Sequence, residues 1–381
     1  MPLLEVQDLH IRLQTHRGPA YAVRGASFTL ERGETLGLIG ESGCGKSITV
    51  MSLLGLLPEN AQVTGSIRFD GQELVGQDDA TLRHIRGNRI GMIFQEPMTA
   101  LNPVHSIGRQ VAEPLRLHRG LSAAAARRQA MALLERVGIP EAARRFDAYP
   151  HQFSGGQRQR ITIAMALACG PDLLIADEPT TALDVTIQQQ ILDLISDLVA
   201  ERGMALMLIS HDLGVIAQNV SRMLVMYGGS VVESGPTDSV FSHMSHPYTR
   251  GLFAARPRLG TPRGARLATI AGTVPELVDL PSGCPFAGRC AFTVDACHHT
   301  RPSATLLADE HEVRCIRLDE INAAGEMSAD GPSLGAKAPE GLSPTAPSLP
   351  AQTGIGRRAA DSGGGLSSAV HAVTSVGARS A

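Results

Sequence analysis

The segment Gly40-Glu-Ser-Gly-Cys-Gly-Lys-Ser47 constrains the fold of this chain more than any other stretch. It matches the phosphate-binding loop pattern, and it follows a short apolar run at 35–39 that we predict to be a strand buried on both faces. A helix is predicted to begin near Ser47, so its N-terminus directs partial positive charge at the loop. Strand, loop and helix together predict an α/β domain that binds a nucleotide.

The chemistry of phosphate binding explains the residue types in this loop. Glycines allow backbone N–H groups to converge on phosphate oxygens, Lys46 adds a mobile charge for the β- and γ-phosphates, and the Ser47 hydroxyl is suited to Mg²⁺. Cys44 lies inside the loop, where its side chain is predicted to fill space rather than to act as a nucleophile. The alternative is a strand-to-helix turn without ligand. The predicted ATP-binding residues of the loop are Gly40, Glu41, Ser42, Gly43, Cys44, Gly45, Lys46 and Ser47.

Two adjacent carboxylates follow another apolar run, Leu173 to Ala176. At the end of a buried strand beside a phosphate loop, Asp177 is predicted to hold Mg²⁺ and Glu178 to orient or deprotonate the attacking water. The alternative is a solvated pair that ends the strand.

The remaining sequence patterns predict how the domain is built around this site. Apolar runs at 35–39, 173–176 and 205–209 predict a parallel sheet with helices between its strands. Alternating residues at 3–13 and 21–30, with a hairpin at 65–74 turning at Asp70-Gly71, predict an antiparallel β layer. A helix-rich insert is predicted at about 97–153, including a helix with Ser122 as N-cap and Gly138 as its stop.

Charge and hydrophobicity give no support to binding of nucleic acid by the whole surface or to a membrane span. Lys plus Arg is 34 and Asp plus Glu is 37, a net charge of −3, so no basic field favours nucleic acid. The chain has no apolar run of the length that a membrane span needs, and its N-terminus lacks a signal-peptide pattern. A cytoplasmic location is therefore expected.

A third motif, Phe153-Ser-Gly-Gly-Gln-Arg-Gln-Arg160, resembles the signature sequence of ABC-type ATPases. The resemblance implies an ABC-type P-loop ATPase domain with a RecA-like core. It implies that Ser154, Gly155, Gly156 and Gln157 face ATP held by the other subunit of a dimer. A serine and two glycines at a helix start suit an anion, whereas in a lone chain they are an ordinary N-cap.

Further positions match the motifs of the same family in order. Gln95 resembles the Q-loop glutamine, which implies contact with Mg²⁺ or the attacking water. Asp184, in Ala182-Leu-Asp184, resembles the D-loop that crosses the dimer interface, and His211 resembles the switch histidine that contacts the γ-phosphate. For the aromatic residue that stacks on adenine in this family, the candidates are Tyr21 and His16.

A closer resemblance, over about residues 3 to 318, is to the ATPase subunits of oligopeptide, dipeptide and nickel importers. The segments that carry it are 92–103, 149–154, 177–185 and 246–250. It implies a peripheral protein at the cytoplasmic face of the cell (inner) membrane. The implied partners are a second, paralogous ABC ATPase, two multispanning permeases and an extracellular or periplasmic substrate-binding protein. Peptides are the expected cargo. The alternatives are nickel or another small solute, and a soluble ABC ATPase acting on nucleic acid or ribosomes.

Four cysteines crowd into the region after the ATPase motifs, and Gly283-Cys-Pro-Phe-Ala-Gly-Arg-Cys290 resembles the C-terminal extension of the same importer ATPases. Four thiolates could hold a [4Fe-4S] cluster, our preferred interpretation, or Zn²⁺, with His298, His299 and His311 as substitute ligands. Unliganded thiols are the alternative, and a reducing compartment disfavours disulfides. The cysteines are Cys284, Cys290, Cys297 and Cys315.

These observations predict three parts in the chain. The ABC ATPase domain is expected at 1–255 and the cysteine-containing extension at 256–320. From 321 to 381 the chain is rich in Ala, Gly, Ser and Pro and has no aromatic residue, so a disordered tail is predicted.

Overall fold

A computed structural model describes residues 1–181, 183–255, 269–307 and 310–326. In chain order, the strands are β1 (Leu4–Thr15), β2 (Gly18–Leu30), β3 (Thr35–Ile39), β4 (Ala61–Phe69), β5 (Gln72–Glu73), β6 (Ile90–Ile93), β7 (Leu173–Asp177), β8 (Ala205–Ser210), β9 (Arg222–Tyr227), β10 (Ser230–Pro236), β11 (Thr305–Leu306) and β12 (Glu312–Val313). The helices are α1 (Lys46–Leu53), α2 (Asp79–Arg83), α3 (Pro97–Ala100), α4 (Ile107–Arg119), α5 (Ala123–Arg136), α6 (Ala142–Arg145), α7 (Gly155–Ala166), α8 (Val185–Arg202), α9 (Leu213–Asn219), α10 (Thr237–His243), α11 (Pro247–Ala254), α12 (Asp295–His299) and α13 (Leu318–Glu326).

The main sheet has the strand order β11-β12-β10-β9-β3-β8-β7-β6. Strands β9, β3, β8, β7 and β6 run parallel, whereas β10, β12 and β11 extend the sheet in antiparallel pairs. Because the carboxyl ends of parallel strands meet at one edge, this order brings the segments after β3, β6, β7 and β8 together. That edge contains the predicted site.

Residues of the central strands alternate between two apolar cores. Leu174 and Ala176 of β7 belong to the core under the helices, and Leu173 and Ile175 belong to the core shared with the antiparallel layer. Every residue of β7 is buried, which explains why its first four residues, Leu173 to Ala176, are an unbroken apolar run rather than an alternating one.

The second sheet has the order β2-β1-β4-β5, with all its pairs antiparallel. Its inward residues, among them Leu4, Val6 and Ile11, are fully buried against the main sheet. Asp70 and Gly71 form the predicted turn between β4 and β5, and both have positive φ. The α/β fold with a parallel core, an antiparallel layer and a helical insert is therefore confirmed.

Helices α3 to α6 occupy the predicted insert between β6 and β7. Helix α5 begins as expected, because the Ser122 side chain accepts a hydrogen bond from the backbone N–H of Ala125. Its buried residues Ala126, Ala130 and Leu134 face α4 and α7. The insert thus packs on α7, the helix that begins at the signature motif.

Strands β9 and β10 were not predicted from the sequence. They form a hairpin that turns at Gly228-Gly229, between two apolar runs that are a recognisable hairpin signal. Strand β9 completes the parallel part of the sheet beside β3.

The C-terminal extension packs on the ATPase core, and the described residues of both belong to one compact unit. The predicted boundary at 255/256 meets a gap at 256–268 that lies outside the described residues. The predicted tail begins too early, because α13 continues past residue 321 and Ile321 is fully buried. Residues 327–381 also lie outside the described residues. In the described ranges, no helix has the length and apolar character that crossing a membrane requires.

Candidate nucleotide-binding site

The phosphate loop fits so tightly between its neighbours that two of its glycines cannot be replaced without displacing backbone. A methyl group at Gly40 would lie 2.3 Å from the Met226 carbonyl oxygen, and one at Gly45 would lie 2.4 Å from the Ala22 carbonyl oxygen. Gly45 also has a φ of 104°, a conformation that favours glycine, and it is the N-cap of α1. The loop is thereby fixed against β9 on one side and β2 on the other.

Lys46 is buried inside this loop with its ammonium close to the loop backbone. Nζ donates to the carbonyl oxygens of Gly40 at 2.7 Å and Glu41 at 3.1 Å, and lies 3.8 Å from Cys44 Sγ. Burial raises the pKa of the Cys44 thiol, although Lys46 opposes that rise. Cys44 is therefore a buried thiol in the loop, and Lys46 is the charge available to an anion there.

Asp177 lies at the end of β7 and is almost fully buried. Burial raises the pKa of its carboxyl; a hydrogen bond from Ser47 and the charge of Lys46 oppose the rise, while Glu178 adds to it. In the part of the chain that the structure describes, its Oδ1 is buried without a hydrogen-bond partner. A buried carboxylate oxygen left unpaired beside a hydroxyl suits a hard divalent cation, so Ser47 and Asp177 fit Mg²⁺.

Glu178 receives polar contacts from three directions at one oxygen. Oε2 accepts hydrogen bonds from Gln95 Nε2 at 3.1 Å and Thr181 Oγ1 at 3.0 Å, and it lies 3.3 Å from Nδ1 of His211. The residue has a φ of 46°, which is strained for a glutamate and is typical of functional sites. The structure thus brings together Gln95, Glu178 and His211, three residues that the sequence analysis selected separately.

The signature motif begins helix α7, and side chains of the motif itself cap the first turn of this helix. Ser154 Oγ accepts from the Gln157 backbone N–H at 3.3 Å, and the Gln157 side chain accepts from the Ser154 N–H at 3.2 Å. Ser154 and Gly155 are exposed. Among the described residues, none of the hydrogen bonds of this segment reaches the phosphate loop. It does not join the cluster around Glu178.

Three further predicted residues, Asp184, Tyr21 and His16, lie at the start of α8, in β2 and in the turn before β2. Asp184 is the N-cap of α8, where its side chain accepts from the Ile187 N–H at 3.0 Å, and Ala182 of the same motif lies outside the described residues. Tyr21, in β2, is 43% exposed, and the adjacent Ala22 is the residue whose carbonyl contacts Gly45. His16 lies in the turn between β1 and β2.

Sequence reasoning missed two residues that hold the start of the loop. The Tyr248 hydroxyl accepts a hydrogen bond from the Glu41 backbone N–H at 2.8 Å, and Arg289 pairs with the Glu41 carboxylate at 2.6 Å. Tyr248 belongs to the His246–Arg250 segment that carries the importer resemblance, so a signal existed for it. Arg289 likewise belongs to the Gly283–Cys290 segment that resembles the importer extension, but that resemblance pointed to the cysteines and not to a contact with the loop.

The four C-terminal cysteines line one small cavity together with His246. Burial raises the pKa of Cys284 to about 11 and of Cys290 to about 12, so both are neutral thiols at pH 7. Among the described residues, however, no group of three or more His, Cys, Asp or Glu is arranged to hold a metal ion. His311, a predicted substitute ligand, is buried in a pair with Glu233 instead. The structure therefore does not support the predicted iron–sulfur or zinc site.

The fold and this edge of the sheet together define a class of protein. A phosphate loop after β3, two carboxylates at the end of β7, and Gln95 and His211 after β6 and β8 are the parts of an ABC-type ATPase. Residues 23–181 match the family model described as ABC transporter, and residues 232–297 match the model described as oligopeptide/dipeptide transporter, C-terminal region.

Curated relatives and solved structures agree with these matches. A protein of Brucella abortus (strain 2308), provisionally named a peptide import ATP-binding protein, is 50% identical over 84% of this chain and 99% of its own length. The dipeptide transport ATP-binding protein DppD of Bacillus subtilis (strain 168) is 49% identical over 86% of this chain and 98% of its own. The ATP-binding cassette MJ0796, in a dimeric post-hydrolysis state with ADP and Pi, matches 61% of this chain and 98% of its own at 28% identity and a TM-score of 0.56. This chain belongs to the ABC transporter ATP-binding proteins of the oligopeptide/dipeptide transporter family, and it is an ABC-type ATPase.

Proposed function

We propose that this chain is the ATP-hydrolysing subunit of a membrane ABC importer that takes up peptides. The observation that carries the ATPase part is the convergence of Gln95, Glu178 and His211 beside the phosphate loop and Asp177. The peptide part is supported by the names of the relatives and by the match of residues 232–297.

In this proposal the protein's own residues divide the work of ATP hydrolysis. Lys46 and the backbone of the loop bind the phosphates, and Ser47 and Asp177 hold Mg²⁺ with Gln95. Bound Mg²⁺ neutralises phosphate charge and fixes the orientation of the phosphates. Glu178 accepts a proton from the attacking water. Three contacts hold its Oε2, and no hydrogen bond among the described residues reaches Oε1, which leaves that oxygen for the water.

Productive hydrolysis is proposed to require a dimer of ATPase subunits. The helix start at Ser154–Gln157 presents the positive end of α7, with Ser154 and Gly155 exposed, and among the described residues none of its hydrogen bonds reaches the phosphate loop of its own chain. We therefore assign it to the ATP of a second, paralogous subunit, with Asp184 at the interface, Tyr21 beside adenine and His211 at the γ-phosphate.

The proposed complex also contains two multispanning permeases and a substrate-binding protein on the other side of the membrane. The chain is placed at the cytoplasmic face of the cell (inner) membrane as a peripheral subunit. The test is purification of the chain from native membranes in mild detergent, followed by mass spectrometry. Two permeases and a second ATPase support the proposal, and screening the accompanying binding protein distinguishes peptides from nickel or another small solute. Ribosomal proteins or nucleic acid without a permease contradict it.

The role of Glu178 is tested by Glu178→Gln in the assembled complex. We expect ATP binding to persist and turnover to fall by about a thousandfold, because the amide cannot accept the proton of the water. Steady-state ATPase rates and a nucleotide-binding titration measure the two effects. The control is Glu201→Gln, which removes an exposed carboxylate paired with Arg136 and leaves turnover unchanged. Wild-type turnover in Glu178→Gln excludes the proposed role.

The metal prediction for Cys284, Cys290, Cys297 and Cys315 stays separate from this function. Four sulfur donors at one cavity are suitable chemistry for a [4Fe-4S] cluster or Zn²⁺, but their arrangement does not support either ion. Analysis of iron, acid-labile sulfide and zinc in the full chain, purified without oxygen, decides between a cluster, zinc and free thiols.

A further inference from the structure

Among the described residues, the side chain of the C-terminal extension that forms hydrogen bonds with the phosphate loop is Arg289. Its Nη1 donates to Glu41 Oε2 at 2.6 Å and its Nη2 donates to Oε1 at 3.2 Å, so the guanidinium binds both carboxylate oxygens in a bidentate pair. Glu41 is the second residue of the loop, and its carbonyl oxygen accepts a hydrogen bond from Lys46 Nζ at 3.1 Å. Glu41 therefore contacts both the Arg289 guanidinium and Lys46, the lysine that is proposed to bind phosphate.

The guanidinium is itself held in place by groups outside the loop. Nε donates to the Ala271 carbonyl oxygen at 2.9 Å, and Nη1 donates to the Tyr227 hydroxyl at 3.3 Å. The side chain is only 7% exposed. Burial by itself lowers the pKa of Arg289, but its hydrogen bonds to Glu41 and Tyr227 raise that pKa above its ordinary value, so the charge is permanent. Arg289 is thus a fixed cation on the extension.

Glu41 is also fixed through its backbone. Its N–H donates to the Tyr248 hydroxyl at 2.8 Å, and the Tyr248 ring packs against Tyr227 and Phe286 with centroid distances of 4.7 and 5.4 Å. Phe286 belongs to the extension, three residues before Arg289 in the same turn region. The extension therefore supports the first residues of the loop both by charge and by aromatic packing.

The charge on Glu41 makes the contact important for nucleotide binding. A free carboxylate in a loop that binds phosphates repels them, and charges within one loop interact strongly when partly buried. Glu41 is 28% exposed at its side chain, so solvent screens it incompletely. Its bidentate pairing with an arginine both cancels this charge and fixes the position of the residue.

We propose that Arg289 is a positioning residue of the nucleotide site, which neutralises and orients Glu41 and thereby sets the affinity of the phosphate loop for the phosphates of ATP. The proposal rests on the proposed nucleotide-binding function of the loop. It makes the C-terminal extension a part of the ATP site of its own chain. Loss of this contact raises the KM for ATP and leaves the chemical step, which depends on Glu178, largely unchanged.

The test is a two-by-two set of variants at positions 41 and 289 in the full chain, titrated with a fluorescent ATP analogue. Arg289→Gln is expected to weaken binding about tenfold, the usual size of a coupling between sites. In a Glu41→Gln background the same change is expected to have less than about a threefold effect, because no carboxylate remains to be neutralised. Arg289→Lys keeps the positive charge but cannot form the bidentate hydrogen bonds, so we expect an affinity between those of the wild type and Arg289→Gln.

The matched control is Arg17→Gln. Arg17 also ties the extension to the rest of the protein, through ion pairs with Glu276 at 2.6 Å and Asp279 at 2.8 Å, but these are exposed, and among the described residues none of the ion pairs or hydrogen bonds of Arg17 involves the loop. It is expected to bind nucleotide as the wild type does. Thermal melting of each variant shows that it is folded, and if Arg289→Gln does not fold, the comparison is made with Arg289→Lys in both backgrounds.

Wild-type affinity in folded Arg289→Gln overturns the proposal, and so does an equal loss of affinity in the wild-type and Glu41→Gln backgrounds. Lys46→Ala separates this inference from the function on which it rests. If Lys46→Ala binds the analogue as tightly as the wild type does, the proposed function of the loop fails. If Lys46→Ala abolishes binding and the Arg289 variants have no effect, only the role of Arg289 fails.

Discussion

At the scale of single residues, the site contains a carboxyl group, that of Asp177, whose charged form is disfavoured by burial. Oδ1 of Asp177 is buried without a partner, and burial raises the pKa of its carboxyl. The sequence predicted both the residue and its neighbour Glu178, because two carboxylates after a buried strand are a local pattern. It could not predict that Glu178 Oε2 gathers Gln95, Thr181 and His211, since those contacts join separate strands.

Asp177→Asn tests the cost of burying this carboxylate. A raised pKa means that the contribution of Asp177 to stability is present at low pH and is lost as the pH rises through its folded pKa. The neutral amide should therefore raise the free energy of unfolding by about 1 kcal/mol at pH 8 without Mg²⁺, and by less at pH 4. Urea titrations in chelator measure both values, and ATPase activity should be lost. A wild type more stable than the variant at pH 8 contradicts the assignment.

At the scale of elements, a buried helix cap positions a side chain that contacts the phosphate loop. The N-cap of helix α11 is His246, whose Nδ1 accepts a hydrogen bond from the Tyr248 backbone N–H at 3.1 Å. The same helix start therefore positions the Tyr248 hydroxyl on the phosphate loop. In the sequence this segment is distinguished only by its resemblance to the importer ATPases, because the importance of His246 depends on its burial and not on a local pattern.

The pH dependence of stability should show this buried histidine. Burial lowers the pKa of His246 to about 4, although Glu233 opposes the shift. A depressed pKa means that stability is fully present above the ordinary value of 6.5 and is lost as the pH falls towards 4. The loss should reach about 3 kcal/mol.

His246→Asn should flatten this profile, because asparagine caps a helix without titrating. Urea unfolding of the two proteins between pH 4 and 7.5 measures the difference in slope. Parallel profiles for wild type and variant mean that His246 does not titrate in this way.

At the scale of the whole molecule, the extension is joined to the ATPase core by contacts of very different strength. His311, before β12, lies 2.8 Å from Glu233 of β10, and both side chains are buried. The backbone N–H groups of Ser245 and His246 donate to the same carboxylate. By contrast, the pairs of Arg17 with Glu276 and Asp279 are exposed. The buried pair is expected to hold the extension.

Replacing His311 with alanine should therefore destabilise the protein by on the order of 3 kcal/mol, because it leaves a buried carboxylate without its side-chain partner. Arg17→Gln should cost less than about 1 kcal/mol, since exposed ion pairs contribute little. Denaturant unfolding of the two variants gives the comparison. Equal costs for the two changes contradict a dominant role for the buried pair.

The sequence by itself determined the local units of this protein: the strand, phosphate loop and helix at 35–53, the carboxylates after β7, and the helix start at Ser154. Each depends on the conformational preferences of adjacent residues, which a short segment contains. Only the tertiary structure decided which units meet, because Gln95 and Glu178 are 83 residues apart and Glu41 and Arg289 are 248 apart. Such contacts follow from strand order and packing, so the joining of the extension to the loop emerges only in the folded chain.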